Sequence, residues 1–289
     1  MIHFVALPLM VALAVALLGG RSLDRLAPAV AARVNAVLLV AVVVAAVPTL
    51  WILGLGGLAH LGVRSALCDW SAHLLPDHPV VSAVIGLASL VLAVAGSVRA
   101  VAVLLGHRRL RCTEQCAFQL VDSQDVFAYT LPGPAGTIAI SRGLRQRLSD
   151  PEFDIVLAHE QSHGRHRHDR FLLLALVVDA AVPFMRSATG QLRFHLERWA
   201  DEDAVWATSA DRTVAARTIA KVALATVPTP AVLGIATHGV AARAGALIAP
   251  PPVAGALSRA LISAVVTATV ALSVTQVHHT AVFTLHALG

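Results

Sequence analysis

The sequence predicts a mainly α-helical, multi-pass membrane protein with about four transmembrane helices and a small cytoplasmic α+β domain. Hydrophobic residues make up 57% of the 289 residues, charged residues make up 13%, and the mean hydropathy is +0.73. Ordinary globular chains carry roughly 25% charged residues. The few charged residues here are concentrated in a central segment between long apolar runs. This pattern argues against an ordinary soluble protein and places the chain in a lipid bilayer.

Four apolar runs approach or exceed the length that crosses a bilayer as a helix, which is about 20 residues. They are residues 4–18, 36–58, 80–105 and 260–277. The first run is as short as a signal peptide, but the residues before it lack the positive charge of one. A fifth run, 171–185, is interrupted by Asp179 and Pro183. We expect it to form a buried or half-inserted hairpin, with a membrane-crossing segment as the alternative.

Basic residues set the predicted orientation, because cytoplasmic loops carry an excess of Lys and Arg. Arginines follow the first and third runs: Arg21, Arg25, Arg33, Arg108, Arg109 and Arg111. The loop after the second run carries only Arg64. We therefore expect a three-span region (1–106), a cytoplasmic domain (107–255), and a last transmembrane helix with a short outer tail (256–289). Both termini are then on the outer side of the cell membrane.

Other ligand classes find less support in the sequence. The pI near 10 is explained by arginines close to the membrane, and no aromatic–basic pattern suited to stacking bases accompanies them. We therefore expect no direct binding of nucleic acid. Cys112 and Cys116 have a spacing that could place them on one helix face. Ordinary small buried residues are the favoured interpretation, with a metal or redox pair as the alternative.

The cytoplasmic segment carries the signals of a small domain. Residues 137–141 alternate as a short strand does after a Pro-Gly turn, and "RGLRQRL" follows as a helical stretch. Ser149 and Glu152 have the spacing of a capping box, which predicts a helix from about 150 to 169. A second helix is expected from 191 to about 208.

The first of these helices contains the sequence HEQSH, a His-Glu-x-x-His motif. Residues i and i+4 lie on the same helix face, so His159 and His163 can both donate a ring nitrogen to one zinc ion. Glu160 lies beside them, where it can take a proton from a water molecule. The alternative is a solvated helix face on which this spacing arose by chance.

A catalytic zinc site needs a third protein ligand. His166 and His168 are too close to His163 on a continuing helix to complete the site easily. Asp169 would require the helix to stop and turn, usually at a glycine, and His166 occupies that position. Asp169 therefore remains a weaker candidate.

Glu197 on the second helix is the better candidate for the third ligand. Asp201 follows one helical turn later on the same face, where a carboxylate can hold the free ring nitrogen of a ligand histidine. Small residues at Ala200 and Ala204 permit close packing of the two helices. The alternative for Glu197 is a surface ion pair with Arg193.

"HEQSH" followed by "ERWAD" resembles the gluzincin pattern HExxH…ExxAD of integral-membrane zinc peptidases. Two groups share this pattern, the HtpX/CAAX-type proteases and the BlaR/MecR-type sensor proteases. The second group fits better over residues 122–204, through "VFAYTLPG", "TIAISRGL" and the apolar run before ERWAD. The resemblance implies a gluzincin-type metalloprotease domain with one Zn²⁺ per chain. The resemblance assigns His159, His163 and Glu197 as the zinc ligands and Glu160 as the general base. It assigns Asp201 as the residue that holds a ligand histidine from behind.

The chain departs from the BlaR/MecR-type receptors after its last apolar run. Those receptors carry a large extracellular penicillin-binding sensor domain there, and we expect only a short tail here. A separate sensor partner or a homo-oligomer would then supply the signal. The resemblance implies a membrane-embedded endopeptidase that cleaves a protein on the cytoplasmic side, with a small DNA-binding repressor as one candidate. The first alternative is an HtpX-like quality-control protease. The second alternative is a non-enzymatic membrane scaffold in which the His-Glu-x-x-His motif arose by chance.

A substrate strand is expected to pair with an edge strand of the domain. The residues proposed for this pairing are Thr137, Ile138, Ala139, Ile140 and Ser141. The sequence does not single out a residue that stabilises the oxyanion, and His195, His238 and Arg243 are undifferentiated candidates.

Overall fold

The computed structural model is mainly helical and carries one three-stranded sheet among its described residues, which agrees with the prediction of a mainly α-helical chain. The residues it describes are 10, 23–63, 65–73, 75–76, 78–109, 118–132, 137–226, 233–250 and 256–288. The predicted first span, 4–18, lies outside these residues apart from Met10, and Cys112 and Cys116 lie outside them as well.

The three strands follow one another in the chain, with helices before and after them. In chain order the helices are α1 (Pro28–His60), α2 (Ala66–Ala72), α3 (Pro79–Arg109), α4 (Arg142–Arg147), α5 (Asp150–Arg165), α6 (His168–Ala181), α7 (Arg186–Thr208), α8 (Arg212–Thr226), α9 (Leu233–Ile248) and α10 (Ala256–Leu288). The strands are β1 (Phe118–Val121), β2 (Ala128–Thr130) and β3 (Ile138–Ser141), and a 3₁₀ turn, Pro183–Met185, joins α6 to α7.

Among the described residues, α1 and α3 are long and apolar enough to cross a membrane, by length and composition. They contain the predicted runs 36–58 and 80–105 and pack against each other. Gly57 and Gly86 face each other at the crossing, and a Cβ on either one would collide with the backbone of the other. The predicted run 260–277 lies in α10, whose apolar part, Ile262–Thr275, is shorter. The four-span topology therefore stays a prediction.

The expected hairpin at 171–185 is wrong, because this run forms the single helix α6 followed by the 3₁₀ turn. Its helix breaker, Pro183, stands only at the end of the run. α6 packs against α1, α3 and α7, and its buried Val178 belongs to the largest hydrophobic cluster of described residues. The charge of Asp179 is matched by Arg193 at 2.7 Å. α6 thus connects the long apolar helices to the helix α7 that follows it.

The helix that carries HEQSH begins at Asp150 as predicted but ends at Arg165, not at Asp169. Arg167 adopts a left-handed conformation, with φ of 55°, which costs a non-glycine residue about 1–2 kcal/mol. The Arg167 side chain approaches Asp169 Oδ1 at 3.3 Å across this turn. The chain therefore changes direction, and His168 begins a new helix with a fully buried side chain.

The prediction that residues 137–141 form an edge strand is also wrong. β3 is the central strand, paired in parallel with β1 and antiparallel with β2. All four of its residues are buried. The sequence of β3 alternates between residue types, which is typical of a strand with one exposed face. This alternation does not show that neighbouring strands pair with both edges of β3. The outer edges belong to β1 and β2 within the described residues.

Candidate metal centre

The predicted capping box fixes the start of α5 and is confirmed. The backbone N–H of Ser149 donates to Glu152 Oε2 at 2.8 Å, and Lys221 also contacts the Glu152 carboxylate at 2.8 Å. α5 packs against α7. Ala200 and Ala204 are almost fully buried, as the close packing of these helices requires. The two motif-bearing helices therefore face each other.

Three side chains that the sequence predicts as ligands converge between α5 and α7. His159, His163 and Glu197 each offer one potential ligand atom, and these atoms lie within 4.8 Å of one another. The Nε2 atoms of the two histidines are 3.1 Å apart. Each lies 3.6 Å from an oxygen of the Glu197 carboxylate. Two imidazole nitrogens and one carboxylate form a donor set that zinc takes in catalytic sites.

Asp201 supports this group from behind His159. Its Oδ1 atom lies 3.0 Å from His159 Nδ1, the ring nitrogen that points away from Glu197. Asp201 is 1% exposed and also accepts two hydrogen bonds from the Arg243 guanidinium, at 2.8 and 2.6 Å. A carboxylate in this position fixes the orientation of the ring and makes Nε2 more basic. The geometry is the one that the sequence predicts for Asp201.

The charges around the group favour a cation at its centre. Burial alone would lower the pKa of His159, but Asp201 and Glu197 outweigh it and raise the pKa to about 10. Burial opposes ionisation of Glu197, yet His159 and Arg243 hold its pKa well below the usual range. Burial and the neighbouring His159 lower the pKa of His163 to about 4. The carboxylates thus stabilise one positive charge at the imidazole pair, and a zinc ion has the same requirement.

Glu160 lies beside this group and is itself nearly buried, at 9% exposure. Burial raises its pKa, although the positive charge of His159 and a hydrogen bond from Thr130 act in the opposite direction. The Thr130 hydroxyl lies 2.8 Å from Glu160 Oε2 and 2.9 Å from the Glu160 carbonyl oxygen. A buried carboxylate with a raised pKa is suited to exchange protons near neutral pH.

Sequence reasoning missed Thr130. It lies on β2, far from the motif in the chain, and a threonine in a short strand carries no pattern that marks it. Only the packing of β2 against α5 brings its hydroxyl to the carboxylate.

We expect Thr130→Val to lower kcat/KM for peptide hydrolysis by about 10–100-fold, because a hydrogen bond to a charged group contributes roughly 1.5–3 kcal/mol. Loss of the bond also raises the pKa of Glu160 further, so the acid limb of the pH–rate profile should move to higher pH. Zinc content should stay unchanged. Thr275→Val on α10, where the hydroxyl bonds only to its own helix, is the matched control. An unaltered pH–rate profile in Thr130→Val would contradict this role.

The other candidates for ligand positions lie elsewhere. Asp169 faces Arg167 and lines the cleft next to the group, but it does not join the three converging side chains. Arg193 pairs with Asp179 instead of Glu197, so the surface-pair alternative for Glu197 is wrong. His166 contacts Asp203 at 2.7 Å.

His168 does not join the three converging side chains either, but it contacts one of them. It begins α6, but it is fully buried, and its Nδ1 lies 2.9 Å from His163 Nδ1. Burial, together with the neighbouring His163, lowers the pKa of His168 to about 3, so its ring is uncharged.

The three oxyanion candidates separate in the structure. Arg243 reaches the site and contacts Glu197 Oε2 at 2.7 Å as well as Asp201. His195 is fully buried, and its Nε2 lies 3.9 Å from Asp24 Oδ1. The side chain of His238 lies outside the described residues.

Cys68 is a buried free cysteine.

A cleft of about 410 Å³ opens onto the group. One wall is the β2 strand with the residues that follow it, Tyr129 to Pro132, and another is a row of leucines on α6: Leu172, Leu173 and Leu176. His107, in the last turn of α3, also lines it. A second cavity of about 270 Å³ reaches the same residues from the side of α8 and α9. A bound chain can therefore approach the group between a strand and an apolar wall.

Residues 108–226 match the family model of Peptidase family M48. This segment contains the sheet, α4 to α8, and His159, Glu160, His163, Glu197 and Asp201. The match supports a metallopeptidase, a class that is generally zinc-dependent. It does not cover α1 or α10. Comparisons with curated proteins and with solved structures found no match.

Proposed function

We propose that this protein is a membrane-embedded, zinc-dependent endopeptidase that hydrolyses a peptide bond of a protein substrate on the cytoplasmic side. The observation that carries this function is the convergence of two histidines and one glutamate beside a buried glutamate in an open cleft. One Zn²⁺ per chain would be held by His159, His163 and Glu197. The match to the peptidase family over the same residues supports the reaction class.

Each side chain of the centre has a definite task in this reaction. A zinc ion held by His159, His163 and Glu197 would supply Lewis acidity for the activation of water near neutral pH and for the polarisation of the scissile carbonyl. Glu160 takes the proton of the attacking water and delivers it to the departing amide nitrogen. Thr130 holds the Glu160 carboxylate, and Asp201 holds the His159 ring. Arg243 offsets the negative charge of Glu197 and Asp201.

The substrate is proposed to bind as an extended strand along β2 rather than β3. β2 pairs with β3 on one side only among the described residues, and Ala128, Tyr129 and Thr130 line the cleft. Main-chain hydrogen bonds to such an edge bind a peptide independently of its sequence. The α6 leucines on the opposite wall would receive an apolar side chain of the substrate.

The location of the cleft supports an active site close to the membrane surface. α3 is one of the two helices that are long and apolar enough to span a bilayer. His107 at its end lines the cleft, and Arg108 and Arg109 follow in the same turn. Because arginines mark cytoplasmic ends, we assign the cleft to the cytoplasmic face.

A small DNA-binding repressor is the proposed substrate class, with a separate sensor partner or a homo-oligomer supplying the signal. The second candidate is quality control of damaged membrane proteins, which the position of the cleft beside α3 would also serve. The two differ in what accumulates when the enzyme is inactive. A repressor protease leaves one intact regulator, whereas a quality-control protease leaves many membrane proteins uncleaved.

The zinc content of purified full-length protein, compared with His163→Ala, tests the proposed function. We expect about one zinc ion per chain in the wild type, removed by a chelator together with peptidase activity, and far less zinc in the variant. His73→Ala is a matched control, because His73 lies in the loop after α2 and not in the cleft. Zinc near zero in both wild type and variant would favour a non-enzymatic scaffold and end the peptidase interpretation.

A further inference from the structure

On the basis of the proposed function, we propose that His168 is a positioning residue that accepts a hydrogen bond from His163 and so directs the other ring nitrogen of His163 to the metal. The two rings meet through their Nδ1 atoms, which lie 2.9 Å apart. The opposite nitrogen of His163, Nε2, faces His159 and Glu197. His168 therefore contacts the one nitrogen of this ligand that does not face the metal group.

The tautomer of His163 follows from this arrangement. A neutral imidazole carries its proton on one nitrogen and offers a lone pair on the other. If His163 is to present the Nε2 lone pair to zinc, its proton must lie on Nδ1. His168 Nδ1 is the acceptor at 2.9 Å, so the proton of His168 lies on Nε2, a buried atom for which the described residues offer no hydrogen-bond partner. The reverse bond would place the proton of His163 on Nε2 and exclude a metal.

The His168 ring packs against two other aromatic rings. It is fully buried, and its centroid lies 4.9 Å from the Trp199 ring on α7 and 6.3 Å from the Phe171 ring on α6. The left-handed turn at Arg167 brings His168 back beneath α5. These contacts hold the ring at one angle, so its lone pair has a defined direction.

The two ligand histidines are thus supported by different chemistry. His159 faces the Asp201 carboxylate, which is itself bound by Arg243, whereas His163 faces the imidazole of His168. A partner behind a ligand histidine commonly contributes 10- to 100-fold in metal affinity. We therefore expect substitution of His168 to lower the zinc affinity of the protein, which can be measured without an assay of hydrolysis.

Three substitutions separate the hydrogen bond from packing. His168→Asn keeps an acceptor, because its Oδ1 is bonded to Cγ as Nδ1 is in histidine. His168→Phe keeps a ring of similar size and removes the acceptor, and His168→Leu is a second acceptor-free variant in case the phenylalanine does not fold. His166→Asn is the matched control, since His166 lies in the same turn but bonds to Asp203 instead of a ligand.

The experiment is a competition between full-length protein in detergent and a chelator of known zinc affinity. We expect the phenylalanine or leucine variant to bind zinc about 10–100-fold more weakly, and the His168→Asn and His166→Asn variants to stay within a few-fold of wild type. Unchanged affinity in the acceptor-free variants would overturn the role of His168. Equal weakening by asparagine would also overturn it, because only packing would then be involved. If His163→Ala loses zinc in the same assay, the proposed function stands whichever result His168 gives.

Discussion

Glu160→Gln is expected to abolish peptide hydrolysis while zinc stays bound. Glutamine has nearly the same size as glutamate and can still accept the Thr130 hydrogen bond, but its amide cannot take a proton from water. General acid–base catalysis typically contributes 10²–10⁴-fold, so kcat should fall by at least about 100-fold. The measurement is cleavage of an unstructured protein substrate by the purified full chain, with zinc content determined on the same samples.

Glu202→Gln is the matched control for this substitution. Glu202 lies on α7 close in sequence to the ligands, but its carboxylate pairs with Arg212, with both contacts at 2.7 Å. We expect its hydrolysis rate to match wild type within a few-fold. Substantial hydrolysis by Glu160→Gln with zinc in place would remove Glu160 from the mechanism and leave the metal group without its base.

Glu197→Ala is expected to lose zinc, whereas Asp169→Ala should retain it. Among the described residues, the Glu197 carboxylate is the one that reaches both histidine Nε2 atoms, at 3.6 Å. Its removal leaves two protein ligands, and it also leaves the Arg243 guanidinium, now without one of its partners, beside the metal position. The loss of affinity should therefore exceed the about 10–100-fold expected for a partner that does not touch the metal.

Chelator competition on the two variants, side by side, decides between the carboxylates. Asp169 lies on the cleft wall next to the centre, so its substitution is a strict control for disturbance of the same cleft. Retention of zinc by Glu197→Ala together with its loss from Asp169→Ala would reverse the ligand assignment. It would mean that the turn at Arg167 brings Asp169 to the metal.

The parts of the site that depend on a single helix are predictable from the sequence. The capping box at Ser149 and Glu152 fixes where α5 begins, and the fixed rise of the helix then places His159, Glu160 and His163 relative to one another. The same rule relates Glu197 to Asp201 on α7. Composition likewise identified α1 and α3 as long apolar helices, because a run of apolar residues is visible without knowledge of its neighbours.

The contacts between these helices and the rest of the chain are not predictable from local sequence patterns. Thr130 and Arg243 reach the site from β2 and α9, and neither has a local pattern, because their contacts join residues far apart in sequence. The strand order placed β3 in the centre of the sheet, which a two-residue alternation cannot reveal. The left-handed turn at Arg167 ended α5 early and buried His168 against His163. An arginine does not favour that conformation by itself, so the physical reason lies in the contacts that α6 makes once it has turned.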